Sequence, residues 1–178
     1  MIKLKKDKIL ALMAGIFFMG MMGTDIYIPA LPLMVKEFNS TPNVVNLTIS
    51  IYTIGVAVFV LFASALGNRF GRKPVIALAV GIFSLTSYLI ALSPSIWLIV
   101  FLRLLQSMIA FVFICSRQVL KDIMDQREQV RANGIILSGL VISPAIAPVI
   151  GAYLTHFVDL KIFNLFMGRG FSLFFNCT

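Results

Sequence analysis

The chain has 178 residues, 60% of them hydrophobic and 12% charged, with a mean hydropathy of +0.99. A soluble domain carries about 25% charged and about 45–50% apolar residues, and an excess this large cannot hide in one aqueous core. The bilayer is therefore the expected solvent, and an all-α integral membrane bundle the expected fold class. A formal net charge of +8 would suit a nucleic-acid binder. The basic residues sit between apolar runs rather than along one face, however, so they point to lipid and orientation and not to nucleic acid. Cys115 and Cys177 form neither a metal-ligand spacing nor a disulfide framework, and His156 is the only histidine. Those counts argue against zinc chemistry and a histidine-based triad. No nucleophile, base and orienting group converge on any span, so no enzymatic activity, metal or cofactor is expected.

A hydrocarbon layer about 30 Å thick takes about 20 helical residues to cross. The first predicted span is 9–28, behind the basic flank of Lys3, Lys5, Lys6 and Lys8. That flank resembles the start of a cleaved signal, but no A-x-A site follows and four more spans do, so the segment is read as a retained helix. The second span is 44–67. The uncharged stretch that follows is too long for one helix and is divided at Ser93-Pro94-Ser95, because proline disfavours helix at the residue before it. The third and fourth spans are therefore 75–92 and 96–116, and the fifth is 132–155. Residues 1–158 make up the bundle, and 159–178 form a divergent tail with a weak apolar segment broken by Arg169.

Placing the N-terminus in the cytoplasm puts 11 of the 15 lysines and arginines on that side, which is the orientation the positive-inside rule selects.

Charges inside hydrocarbon cost at least about 2.5–3.5 kcal/mol on insertion scales, so each needs a reason. Arg103 lies well inside the fourth span, with Gln106, Ser107 and Ala110 at i+3, i+4 and i+7 on one helical face. Such a face looks into a wet cavity or onto another helix, and the arginine either serves that cavity or is tied to backbone carbonyls. Asp25 sits near the far end of the first span. A low-dielectric cleft would disfavour its charge and suit it to carry a proton, whereas an interfacial position would simply hydrate it. Between spans two and three, Asn68 is expected to end a helix in the left-handed conformation and Gly71 to make a tight turn. Arg69, Arg72 and Lys73 are expected to face the negative end of the second helix and the lipid surface, with Pro74 in the first turn of the third span. Gly139, Ser143, Ala147, Gly151 and Thr155 recur every four residues and build a small-residue ridge for close helix packing in lipid. Pro144 and Pro148 each remove a backbone donor there and are expected to bend the helix.

Taken together these segments resemble the major facilitator superfamily, and most closely its Bcr/CflA drug-resistance transporters, over roughly residues 8–155. The most specific match is Thr24-Asp25-Ile26-Tyr27-Ile28-Pro29-Ala30-Leu31-Pro32, which looks like that subfamily's first-helix signature. Asn68 through Pro74 looks like the superfamily's loop between helices two and three. Arg103-Leu104-Leu105-Gln106 is similar to its fourth-helix motif, and Ala147-Pro148-Val149-Ile150-Gly151-Ala152 to its fifth-helix antiporter motif. The resemblance implies two halves rocking about a midplane cavity, an architecture known for this superfamily. It implies proton-coupled efflux of drug-like small molecules from a bacterial inner membrane, with the proton gradient as the energy source. Asp25, Tyr27, Arg103 and Gln106 would serve proton coupling and the cavity. Asn68, Arg69, Gly71, Arg72 and Lys73 would gate the inside face, and Ala147, Pro148, Gly151 and Ala152 would form the antiporter-type element.

The chain departs from the pattern at Asn68, where the loop motif has aspartate, at Ser64, four residues earlier, and at Ser107, where the fourth-helix motif has glycine. Twelve helices need about twice this length at about 20 residues per span. An N-terminal fragment lacking its C-terminal half is therefore the expectation, inactive on its own if truncated. Two alternatives stay open: a short protein that pairs with itself or a partner to complete a cavity, and a non-transporting membrane scaffold.

Overall fold

The computed structural model describes residues 27–157 continuously, together with 10, 11, 13–15, 17, 18, 20 and 25. Among the described residues there is no strand. A 3-10 turn, Ile28–Ala30, leads into a short helix α1, Leu31–Glu37. Asn39 then takes φ +44°, a left-handed conformation that asparagine tolerates, and turns the chain into α2. The long helices are α2, Pro42–Phe70; α3, Arg72–Leu92; α4, Ile96–Gln106, continued through a 3-10 turn into α5, Ala110–Ile123; and α6, Gln126–Phe157. Four helices among the described residues, with α4 and α5 counted as one, are long and apolar enough to cross a membrane. Most of the first expected span lies outside the described residues, and so does the tail after Phe157.

The outward faces explain the composition. Leu61, Val141 and Val149 are 77%, 76% and 69% exposed, and Phe62, Trp97 and Phe101 also project outward. Water would penalise these side chains, whereas lipid tails do not. The inward faces carry smaller and more polar groups. On α2 the buried stripe is Val45, Thr48, Tyr52, Gly55, Ala63 and Gly67, spaced by threes and fours along one side. This seam packs against α4 and α5, and α3 packs against the same pair from another side. One core cluster gathers Tyr52, Val75, Ala79, Phe83, Phe111, Val112 and Cys115, and a second at the opposite end holds Tyr27, Met34, Val45, Ile90, Ile99 and Leu102. The sixth helix sits against the Ile28–Ala30 turn, touches α5 only lightly, and shares a third cluster with Phe17, Leu120 and Met124 through Ala132 and Ile136.

Glycine decides the closest crossing. A Cβ added at Gly55 would collide with Ser107 Oγ and lie 2.9 Å from Ser107 Cβ, so only a missing side chain lets α2 approach the 3-10 turn between α4 and α5 there. The stripe of Gln106, Ser107 and Ala110 is fully buried, and at Ser107 it faces another helix.

The turn after α2 differs from its expectation. Asn68 stays inside the helix, which runs on to Phe70. The break falls at Gly71, with φ +89° and ψ 144°, a region that a Cβ would strain. One glycine able to take that conformation makes an earlier left-handed asparagine unnecessary. Pro74 lies in the first turn of α3, and α6 is not interrupted at Pro144 or Pro148.

Candidate functional site

The polar column inside the bundle starts at Arg103. The side chain is 4% exposed, and its guanidinium carbon lies 3.6 Å from the centroid of the Tyr27 ring and 5.9 Å from that of Tyr52. No carboxylate among the described residues pairs with it. Stacking on ring faces is what guanidinium does well, being planar and weakly hydrated, and a desolvated contact of this kind contributes about 2 kcal/mol. Tyr27 is fixed in turn. Thr48 spends its hydroxyl hydrogen on the Val45 carbonyl at 2.6 Å, so the Tyr27 hydroxyl donates to Thr48 Oγ1 at 3.0 Å.

Gln106 lies one turn along from Arg103 on the same face. Its amide donates to Ser87 Oγ on α3 at 2.7 Å. Arg103 Nε and Gln106 Oε1 are buried without a hydrogen-bond partner. An orphaned donor and an orphaned acceptor one turn apart are costly in a packed interior, at about 1–3 kcal/mol each, and mark a place the fold does not optimise for stability.

Asp25 is half-buried and meets α6 rather than Arg103. Ser143, fully buried on that helix, donates to Asp25 Oδ2 at 2.8 Å. The small-residue ridge therefore serves the first segment. Gly139 faces Phe18, Ser143 holds Asp25, and Ala147 is fully buried one turn further on. Pro148, Gly151 and Ala152 lie within α6, but their side-chain surroundings fall outside the described residues.

At the other end of the bundle, four of the five expected gating residues line one cleft. Arg72 forms an ion pair with Asp122 on α5 and donates to the Gln118 carbonyl at 3.0 Å. Gln118 also donates from its side chain to Ser64 Oγ at 2.8 Å, so the serine that departs from the usual glycine ties α2 to α5. Asn68, Gly71, Lys73 and Arg72 line an open cleft of about 360 Å³ together with Val119, Asp122 and Ile123. Arg69, in the last turn of α2, lies 5.4 Å from the Phe70 ring centroid. Lys73 sits in the first turn of α3, across the Gly71 break from Arg69.

Sequence reasoning overlooked Asp122, Gln118, Thr48, Tyr52 and Ser87, and saw in Ser143 only a small residue. One signal was available: Asp122 and Arg72 are opposite charges flanking apolar spans on the same side of the predicted topology. Among the described residues, no group of three or more His, Cys, Asp or Glu side chains gathers.

The Major Facilitator Superfamily model matches residues 13–175, starting just inside the 8–155 range of the resemblance and running past its end. Multidrug resistance protein MdtL of Shewanella sp. (strain ANA-3) is 31% identical over 138 residues, covering 77% of this chain and 35% of that protein. Multidrug resistance protein D of Escherichia coli (strain K12) is 28% identical over 149 residues, 83% of this chain and 38% of that protein. MFS antiporter QDR3 of Candida albicans is 31% identical over 133 residues, 74% of this chain and 19% of that protein. The chain thus spans well under half the length of these relatives. With its apolar helices, internal polar column and a match over most of its length, the chain belongs to the Major Facilitator Superfamily, a family of membrane transporters.

Proposed function

We propose that this chain forms the first half-bundle of a proton-coupled exporter of drug-like small molecules of the Bcr/CflA type. The carrying observation is Arg103: a charge buried among membrane-length helices, stacked on Tyr27, with Nε unpaired beside the unpaired Oε1 of Gln106. Buried polar atoms without partners in a membrane bundle are expected where a substrate, water or proton passes. The names of the relatives support multidrug substrates, and that of the Candida albicans protein supports antiport.

In this reading Asp25 takes up a proton while Arg103 and Gln106 meet the substrate. Arg72 with Asp122 closes the cytoplasmic end, where Asn68, Arg69, Gly71 and Lys73 also lie. Ala147, Pro148, Gly151 and Ala152 let α6 pack closely and keep that route shut to leak. The N-terminus faces the cytoplasm, and the membrane is the inner membrane of a bacterium. Lipid covers the outward apolar faces, and a second half-bundle, in the same chain or a partner, completes the cavity. The test is ethidium accumulation in exporter-deficient cells, comparing this chain alone with the chain fused to a complementary C-terminal half-bundle. Lower accumulation in the fused form, abolished by a protonophore, supports the reading. Equal accumulation with and without the fused form, at matched membrane levels, contradicts it.

A further inference from the structure

A hydroxyl on a helix ordinarily turns back onto a carbonyl three or four residues earlier. Ser50, Thr53, Thr86, Ser107 and Ser138 all do so. Ser143 does not. Fully buried on α6, it reaches across to Asp25 Oδ2. Its local alternative nevertheless stands ready. Residue 144 is proline and has no N–H, so the Leu140 carbonyl lacks the donor that helical residue i+4 normally supplies. That carbonyl is three residues before Ser143, where a serine hydroxyl can reach it.

We propose that Ser143 is the positioning residue of the Asp25 proton site and serves the carboxyl in both of its protonation states. With Asp25 charged, the Ser143 O–H donates to the carboxylate, as the structure has it. A proton taken from water onto Asp25 Oδ2 turns that oxygen into a donor. Its O–H then points to Ser143 Oγ, and the Ser143 hydrogen swings to the Leu140 carbonyl. One O–H bond forms on Asp25 as one breaks in a hydronium ion of the solvent, Asp25 Oδ2 and Ser143 Oγ stay hydrogen-bonded before and after, and the Leu140 carbonyl gains its donor in the protonated state. The contact between the first segment and α6 therefore persists while the charge appears and disappears. An alanine at this place on the ridge would take this partner away from the half-buried carboxyl in both states.

Among the described residues, Ser143 is the side chain that hydrogen-bonds Asp25. No lysine or arginine among the described residues pairs with the carboxylate. The charges of α6 are Arg127, Glu128 and Arg131 near its start. Arg131 lies about 18 Å from Ser143 along the helix axis. Tyr27 is engaged with Thr48, and Arg103 faces the Tyr27 ring.

The inference rests on Asp25 as the proton carrier, and the experiment separates the two ideas. Membranes containing this chain are treated with a hydrophobic carbodiimide, which attacks protonated carboxyls, and modification of Asp25 is followed by mass spectrometry. Ser143→Ala removes the donor that holds the charged carboxylate and speeds modification about three- to tenfold. Ser143→Thr keeps the hydroxyl and returns the rate to that of the native chain. An unchanged rate in Ser143→Ala, or a Ser143→Thr rate equal to that of Ser143→Ala, overturns the proposal and leaves the role of Asp25 intact. No modification of native Asp25 at any pH overturns the proton-carrying role and the proposal with it.

Discussion

The Arg103 guanidinium rests on the face of Tyr27 at 3.6 Å, and no carboxylate among the described residues pairs with it. A carboxylate partner would lock the charge in one place, whereas a ring face attracts it without matching its hydrogen bonds. The arginine thereby keeps its Nε donor unpaired.

Tyr27 can be dissected in two steps. Tyr27→Phe keeps the ring and loses the bond to Thr48, and should cost about 1 kcal/mol in the unfolding of detergent-solubilised protein. Tyr27→Leu also strips the platform from a buried cation and should cost about 2 kcal/mol more. Equal destabilisation by the two variants would show that the ring contributes nothing as a cation platform.

Gln106→Leu separates stability from transport. It gives up the bond to Ser87 but also removes the orphaned Oε1, so thermal stability should change by less than about 1 kcal/mol. Drug efflux by the completed carrier should nevertheless fall at least about tenfold, because raising the barrier of the transport step by about 1.4 kcal/mol slows it by a factor of about ten. Unchanged efflux would remove Gln106 from the site.

Gly55 and Ser107 form a reciprocal pair. Gly55→Ala should destabilise by about 1–3 kcal/mol through overpacking, and Ser107→Gly should rescue it in the double variant. A double variant no more stable than Gly55→Ala would mean that the clash is relieved elsewhere.

Arg72 and Asp122 should respond unequally. Asp122 is 58% exposed, so Asp122→Asn loses a screened ion pair and about 0.5 kcal/mol. Arg72→Ala also abandons the Gln118 carbonyl and should cost about 1 kcal/mol more, measured by the same unfolding assay.

The apolar runs made the helices legible, and Pro94 marked the break between α3 and α4, because hydrocarbon thickness and a missing N–H act locally. Helix ends were less legible. Hydropathy reports the length inside lipid, and α5 continues past Ser116 through Arg117 and Lys121, which extend the helix beyond the apolar run. Asn68 was misjudged because a left-handed asparagine and a left-handed glycine compete to end a helix, and only the backbone reveals which does. Arg103, Gln106 and Asp25 stood out because charge and amides are expensive in lipid. Their partners did not. Tyr27 to Arg103, Arg72 to Asp122 and Ser143 to Asp25 are contacts between distant parts of the chain, and one sequence carries no record of distance.

Thiol labelling puts the route itself to the test. After Cys115 and Cys177 are replaced, Gln106→Cys is introduced into the carrier completed by its second half and exposed to a membrane-impermeant maleimide with and without drug. The account predicts that the thiol reacts and that drug protects it by at least about threefold, since the substrate occupies the place beside Arg103. A thiol that never reacts from either face of the membrane, in a carrier that still exports drug, would contradict it.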